Sequence, residues 1–142
     1  VYPQERLYIV EPALRTSRKP IRIEFRVTAV VWRTSHESPP IIIVEHRDYA
    51  ITTVGQKKQS TVTADLFNES PFGFRAFEVT AAVFDAAGNL IGANKVAGGD
   101  LAAASRIKIK SLWPSALSGD VAKIEIIPRV NLFDPDVIIK PQ

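Results

Sequence analysis

Glu78-Val79-Thr80-Ala81-Ala82-Val83-Phe84-Asp85-Ala86-Ala87-Gly88-Asn89-Leu90-Ile91-Gly92 reads as a strand, a turn and a second strand. Phe77, Val79, Ala81 and Val83 alternate with Glu78 and Thr80, which puts the apolar side chains on one face at a period of two. Ala86 to Asn89 is a compact hairpin loop, and Leu90 starts the return. Asp85, at the end of the first strand, is placed to accept hydrogen bonds from turn amides. That role is structural rather than catalytic.

The same rhythm extends in both directions. Val62, Ala64 and Leu66 alternate with Thr61, Thr63 and Asp65, and Ile107 and Ile109 with Arg106, Lys108 and Lys110. Upstream, Ile21, Ile23, Phe25, Val27, Ala29 and Val31 oppose Arg22, Glu24, Arg26 and Thr28. Turn clusters separate these runs at Ser38-Pro39-Pro40, Val54 to Lys58, Asn68 to Gly73, Gly98-Gly99-Asp100 and Ser118-Gly119-Asp120. Strands are expected near 7–12, 21–32, 41–46, 49–53, 60–67, 76–85, 89–96, 105–112 and 122–128. Only Asp100 to Ser105 looks locally helical, with Asp100 as its N-cap. The pattern predicts an all-β, immunoglobulin-like antiparallel β-sandwich of about seven to nine strands.

Two stretches about 100 residues apart, the size of one such sandwich, resemble each other. Glu11-Pro12-Ala13-Leu14 with Ile21 to Phe25 parallels Trp113 to Leu117 with Ala122 to Ile126. Residues 1–35 are therefore expected to be either the closing hairpin of a preceding domain or two extra strands of one larger sandwich. Residues 36–142 are expected to form the sandwich itself. An isolated hairpin is marginal in water, so on the first reading it packs on the body, exchanges into another molecule or stays mobile.

Composition narrows the classes. The chain has 142 residues, is 46% hydrophobic and 23% charged, and contains neither Cys nor Met. Thiolate metal sites and disulfides are thereby excluded. No uninterrupted apolar run exceeds four residues, far short of a membrane span. With Val at position 1, a processed or excised form is expected, and any signal or anchor lies outside this stretch. Residues 1–33 hold seven Lys/Arg against three Asp/Glu, whereas 34–142 hold eleven against twelve. That basic N-terminal part is either a solvated strand face or a surface for an acidic polymer or membrane.

Catalytic patterns are missing. His36 and His46 have acidic neighbours (Glu37; Glu45 and Asp48), but no spacing supplies three metal ligands on one face. No Gly-x-Ser-x-Gly elbow and no P-loop occurs. Asp134-Pro135-Asp136 reads as a solvated linker sooner than a calcium site. No enzyme activity and no cofactor are expected. Phe72, Phe74 and Phe77 cluster after a proline turn; exposed they would form a recognition loop, buried they would close one end of the core. Phe72, Phe74, Trp32, Arg22 and Arg26 are the candidate interaction residues. No aromatic-plus-basic stripe suggests nucleic acid.

Residues 60–128 carry a family resemblance. Thr61 to Asn68 runs into Glu78 to Gly92, a strand ending in an Asn turn followed by a strand ending in aromatic-Asp, a Gly turn and a short apolar strand. This resembles the FxLYD-type extracytoplasmic β-sandwich domain, with Val83, Phe84 and Asp85 at the Leu-Tyr-Asp positions and Ala81 in place of the leading Phe. Leu112-Trp113-Pro114 and Asn131 to Asp136 are similar to membrane-anchored tandem-domain surface proteins of small-genome bacteria. The resemblance implies a non-catalytic structural or interaction module of a bacterial cell-envelope protein, working outside the cytoplasm. The alternatives are a ligand- or anionic-polymer-binding domain, or an accessory domain of a larger envelope enzyme. Expected partners are a protein or an envelope polymer, with membrane contact only through an anchor absent from this chain. Strand exchange through residues 5–33 would give a homo-oligomer.

Overall fold

The computed structural model describes residues 8–10, 21, 22, 24, 26 and 38–140. Its strands are β1 (Ile42–Val54), β2 (Lys57–Asn68), β3 (Gly73–Phe74), β4 (Phe77–Phe84), β5 (Leu90–Gly98), β6 (Arg106–Trp113), β7 (Lys123–Arg129) and β8 (Ile138–Ile139). There is no helix among the described residues. One sheet has the order β1-β2-β6 and a second the order β5-β4-β7, all antiparallel, while β3 and β8 form a short pair. Neighbours such as β2 and β6, or β4 and β7, are not consecutive in sequence. The chain therefore crosses repeatedly between sheets, as in immunoglobulin-like sandwiches, where strands A, B and E share one sheet and C and F the other.

The core lies where the two inner faces meet. Val62, Ala64 and Leu66 of β2 and Ile109 of β6 pack toward Val79, Ala81 and Val83 of β4 and Ile126 of β7. These are the apolar members of the alternating runs. Each large one contributes about 1.5–3 kcal/mol by leaving water. Along one side the sheets are joined by hydrogen bonds from Asn94 Nδ2 to the Leu112 carbonyl (3.0 Å) and from Trp113 Nε1 to the Ala93 carbonyl (3.3 Å).

Turn chemistry follows the residues. Asp85 accepts from the Asn89 amide (2.8 Å) and from Asn89 Nδ2 (2.9 Å), and Gly88 takes the left-handed conformation at φ +83°. These bonds hold the Asp85 carboxyl below its ordinary pKa. Asn68, fully buried at the end of β2, donates to the carbonyls of Phe72 (3.0 Å) and Ala102 (3.1 Å) and accepts from the Ser70 amide (3.0 Å). It ties the β2–β3 turn to the segment that leads into β6.

Three expectations are corrected. The strands at 41–46 and 49–53 are one 13-residue strand, β1, whose register with β2 shifts between Val44 and His46. A bulge absorbs one residue without ending the strand. Asp100 to Ser105 is not helical: Leu101 bridges Phe74 through reciprocal bonds of 2.7 and 2.8 Å, and Ala104 sits at φ +52°. Burial of Leu101 at the sandwich end outweighs the helix preference of the alanines. The two-residue strands β3 and β8 are too short to show a period. The expected strands at 7–12 and 21–32, and most of the 1–35 unit, lie outside the described residues; the described Tyr8 to Val10 are not in a strand.

Candidate functional site

The β1–β2 hairpin reaches past its own sheet. Pairing of β2 with β6 ends at Ser60–Trp113, but pairing of β2 with β1 continues to Val54–Lys57. The last turn of chain is a two-residue loop, Gly55-Gln56, with Gly55 at φ +62° and no positive φ at Gln56. Positive φ at the first position only is the type II′ requirement, and it suits the right-handed twist of a hairpin. The result is a two-stranded ribbon in which every residue from Ala50 to Lys58 is exposed. Ile51 is 52% exposed and Val54 59%. Lys57 and Lys58 sit at its tip, and no acidic residue occurs from Tyr49 to Ala64.

The bulge at Glu45 decides what faces the gap between the sheets. Strict alternation from Val44 would turn His46 and Asp48 inward. The register shift instead pairs Arg47 with Ala64 and Tyr49 with Val62, so Arg47, Tyr49 and Ile51 take the inward face. Tyr49 and Ser60 share a hydrogen bond of 2.8 Å between Oη and Oγ. Arg47 and Tyr49, with Val121, Ala122, Lys123 and Ile124, line an open cleft of about 410 Å³ between β1 and the segment leading into β7. Beside it, Lys123 pairs with Glu125 (2.6 Å), Tyr8 Oη donates to Glu125 Oε2 (2.6 Å), and the Tyr8 ring packs on Phe84 at 6.3 Å.

On the outer face of this sheet, charges are matched across strands. Arg106 donates from Nε and Nη2 to the two oxygens of Glu45, each at 2.9 Å, and lies 4.4 Å above the Phe67 ring. The guanidinium holds the Glu45 carboxyl below its ordinary value. Lys108 (3.5 Å) and His46 (3.7 Å) approach Asp65. Among the described residues no group of three or more His, Cys, Asp or Glu is placed to hold a metal. His46 and Asp48 pair outward against Asp65 and Thr63. The arrangement can make contacts, through strand edges, aliphatic side chains and cations.

The residues marked by sequence fall elsewhere. Phe74 is fully buried and meets Phe72 edge-on at 5.6 Å, while Phe72 is half-buried. The recognition-loop reading therefore does not hold for Phe74, which closes the end of the sandwich where Leu101 bridges it. Arg22 is exposed and paired with Glu24 at 2.6 Å, a surface contact of little energy. Arg26 is exposed. Trp32 and His36 lie outside the described residues. Sequence reading passed over Ile51, Val54, Lys57 and Lys58. Their signal was the acid-free stretch around Gly55, with β-branched residues before it and lysines after it.

No family model matches the chain. No curated protein matches it. Among solved structures, it is similar to a DUF1425 family member from Shewanella sp. pv-4, at 10% identity over 66% of this chain and 79% of that one, with a TM-score of 0.39. At that score the likeness assigns no function.

Proposed function

We propose that the chain is a non-catalytic interaction module of a bacterial cell-envelope protein, working outside the cytoplasm. The observation that carries this is the β1–β2 ribbon. It extends beyond the third strand of its sheet, exposes Ile51 and Val54, and stands beside the open cleft of Arg47 and Tyr49. A stiff sandwich holding an uncovered ribbon away from its body is suited to presentation. The FxLYD-type resemblance of residues 60–128 supports the extracytoplasmic setting.

The test is a photoreactive side chain at Thr53 on the ribbon, compared with one at Lys110 on the outer face of β6, in the producing cell. The expected result is a discrete adduct from Thr53 in the envelope fraction and none from Lys110. Equal or absent labelling at Thr53, or adducts confined to the cytosol, would sink this reading.

A second reading draws on Lys57 and Lys58 at the acid-free tip, which suit an anionic envelope polymer. Retention on an anionic glycan that falls with salt and is lost in the double variant Lys57→Ser/Lys58→Ser would favour it.

A further inference from the structure

Natural edge strands are protected by bulges, charges or prolines. The first half of β1 has such protection: the bulge at Glu45 and the charged residues Glu45, Arg47 and Asp48. The second half, Ala50-Ile51-Thr52-Thr53-Val54, has none. It is uncharged, β-branched at four of five positions, and exposed along its whole length. Residues flanking a two-residue hairpin loop exchange both main-chain hydrogen bonds. Val54–Lys57 is that pair, and alternation assigns the same bonding to Thr52–Gln59 and Ala50–Thr61. Tyr49, Ile51 and Thr53 then turn their N–H and C=O groups away from β2. No strand lies on that side among the described residues.

We propose that this edge is a strand-addition site whose occupant is a second copy of the chain, paired antiparallel about a two-fold axis at Ile51. Deepening the interaction-module reading, on which it rests, this names the partner. The outward-turned groups must meet each other, which selects registers in which odd residues oppose odd residues. Centred on Ile51, Tyr49 lies opposite Thr53 of the second copy, Ile51 opposite Ile51, and Ala50 opposite Thr52. Asp48 falls opposite Val54, so no like charges oppose one another. The exposed Ile51 side chains cover each other on the inward face. One uncharged patch meeting itself satisfies an isologous contact, and the two three-stranded sheets become one sheet of six.

The experiment is light scattering and sedimentation of the full chain over a concentration series, with the variants Thr53→Pro and Thr53→Lys. Proline at Thr53 removes an outward N–H and leaves the bonding to β2 in place. Lysine at the same position opposes edge pairing without touching the backbone. A concentration-dependent dimer is expected, with dimer dissociation raised about tenfold or more by each variant while the monomer melts within about 3 °C of the parent. If proline disturbs the fold, the lysine variant carries the test. A chain that stays monomeric throughout overturns the proposal, as does a dimer that both variants leave intact. A monomer whose Thr53 probe captures a different protein overturns this inference and leaves the interaction-module reading standing. Loss of both the dimer and the Thr53 adduct overturns both.

Discussion

Arg106, the first residue of β6, grips Glu45, the bulge residue of β1, through two hydrogen bonds of 2.9 Å that span the sheet across β2. The bulge it fastens turns Arg47, Tyr49 and Ile51 toward the cleft, so a surface pair here bears on register. Because Glu45 is held below its ordinary value of 4.5 in the folded chain, the pair stabilises above the unfolded-state value. That contribution is lost as pH falls through the depressed folded value. Arg106→Gln is expected to lower the melting temperature at neutral pH, with the deficit shrinking as Glu45 protonates in acid. A deficit that does not change between pH 7 and pH 3 would show that the ion pair is not its source.

Asn68 is the best-connected buried polar side chain described. Its amide serves the carbonyls of half-buried Phe72 and exposed Ala102, and its oxygen accepts from the buried Ser70 amide. Asn68→Ala leaves the buried Ser70 amide without its acceptor and removes the tie to the Phe72 and Ala102 carbonyls, at a cost of about 2 kcal/mol. Asn68→Asp is expected to be worse at neutral pH, because a carboxylate would face carbonyl oxygens. Its folded pKa would be raised, so stability would return as pH falls and the neutral acid donates in place of the amide. Melting curves of the two variants from pH 4 to pH 8 check this: they should converge or cross toward acid. Parallel curves would contradict the assignment.

Phe74 and Phe72 were equivalent in sequence and are not in the fold. Phe74→Ala empties a fully enclosed site beside Leu101 and should cost about 3–5 kcal/mol. Phe72→Ala, from a half-buried position, should cost about 1–2 kcal/mol. Urea unfolding of both variants separates them, since the midpoint should fall much further for Phe74→Ala. Equal losses would mean that Phe72 is as deeply seated as Phe74.

The sheet cores were legible because burial on one face imposes a period of two. Val62, Ala64 and Leu66 in β2, and Val79, Ala81 and Val83 in β4, show it directly. The Asp85 turn was legible because an Asp before Ala-Ala-Gly-Asn has only local partners to find. The bulge at Glu45 was not, because one inserted residue changes the phase of the alternation and looks like a break between two strands. Leu101 escaped because its demand for burial comes from Phe74, distant in sequence. The ribbon escaped because its exposure depends on where β6 stops pairing, at Trp113, which Ala50 to Lys58 cannot encode.

Tyr8 packs on the second sheet. Its hydroxyl donates to Glu125 on β7 and its ring lies against Phe84 at the end of β4. Tyr8 and Val10 are half-buried while Ile9 is 75% exposed, so alternate side chains turn toward the body. A segment seated this way should contribute to stability in cis. Tyr8→Ala in the full chain is expected to lower the melting temperature, and Tyr8→Phe, which keeps the ring and loses the Glu125 bond, to lower it less. A chain beginning at Glu37 should show at least the Tyr8→Ala deficit, because it loses the same ring and hydroxyl. If that shortened chain melts with the parent and stays monomeric, residues 1–36 are a thermodynamically separate unit. The contacts of Tyr8 with Phe84 and Glu125 then contribute no net stability.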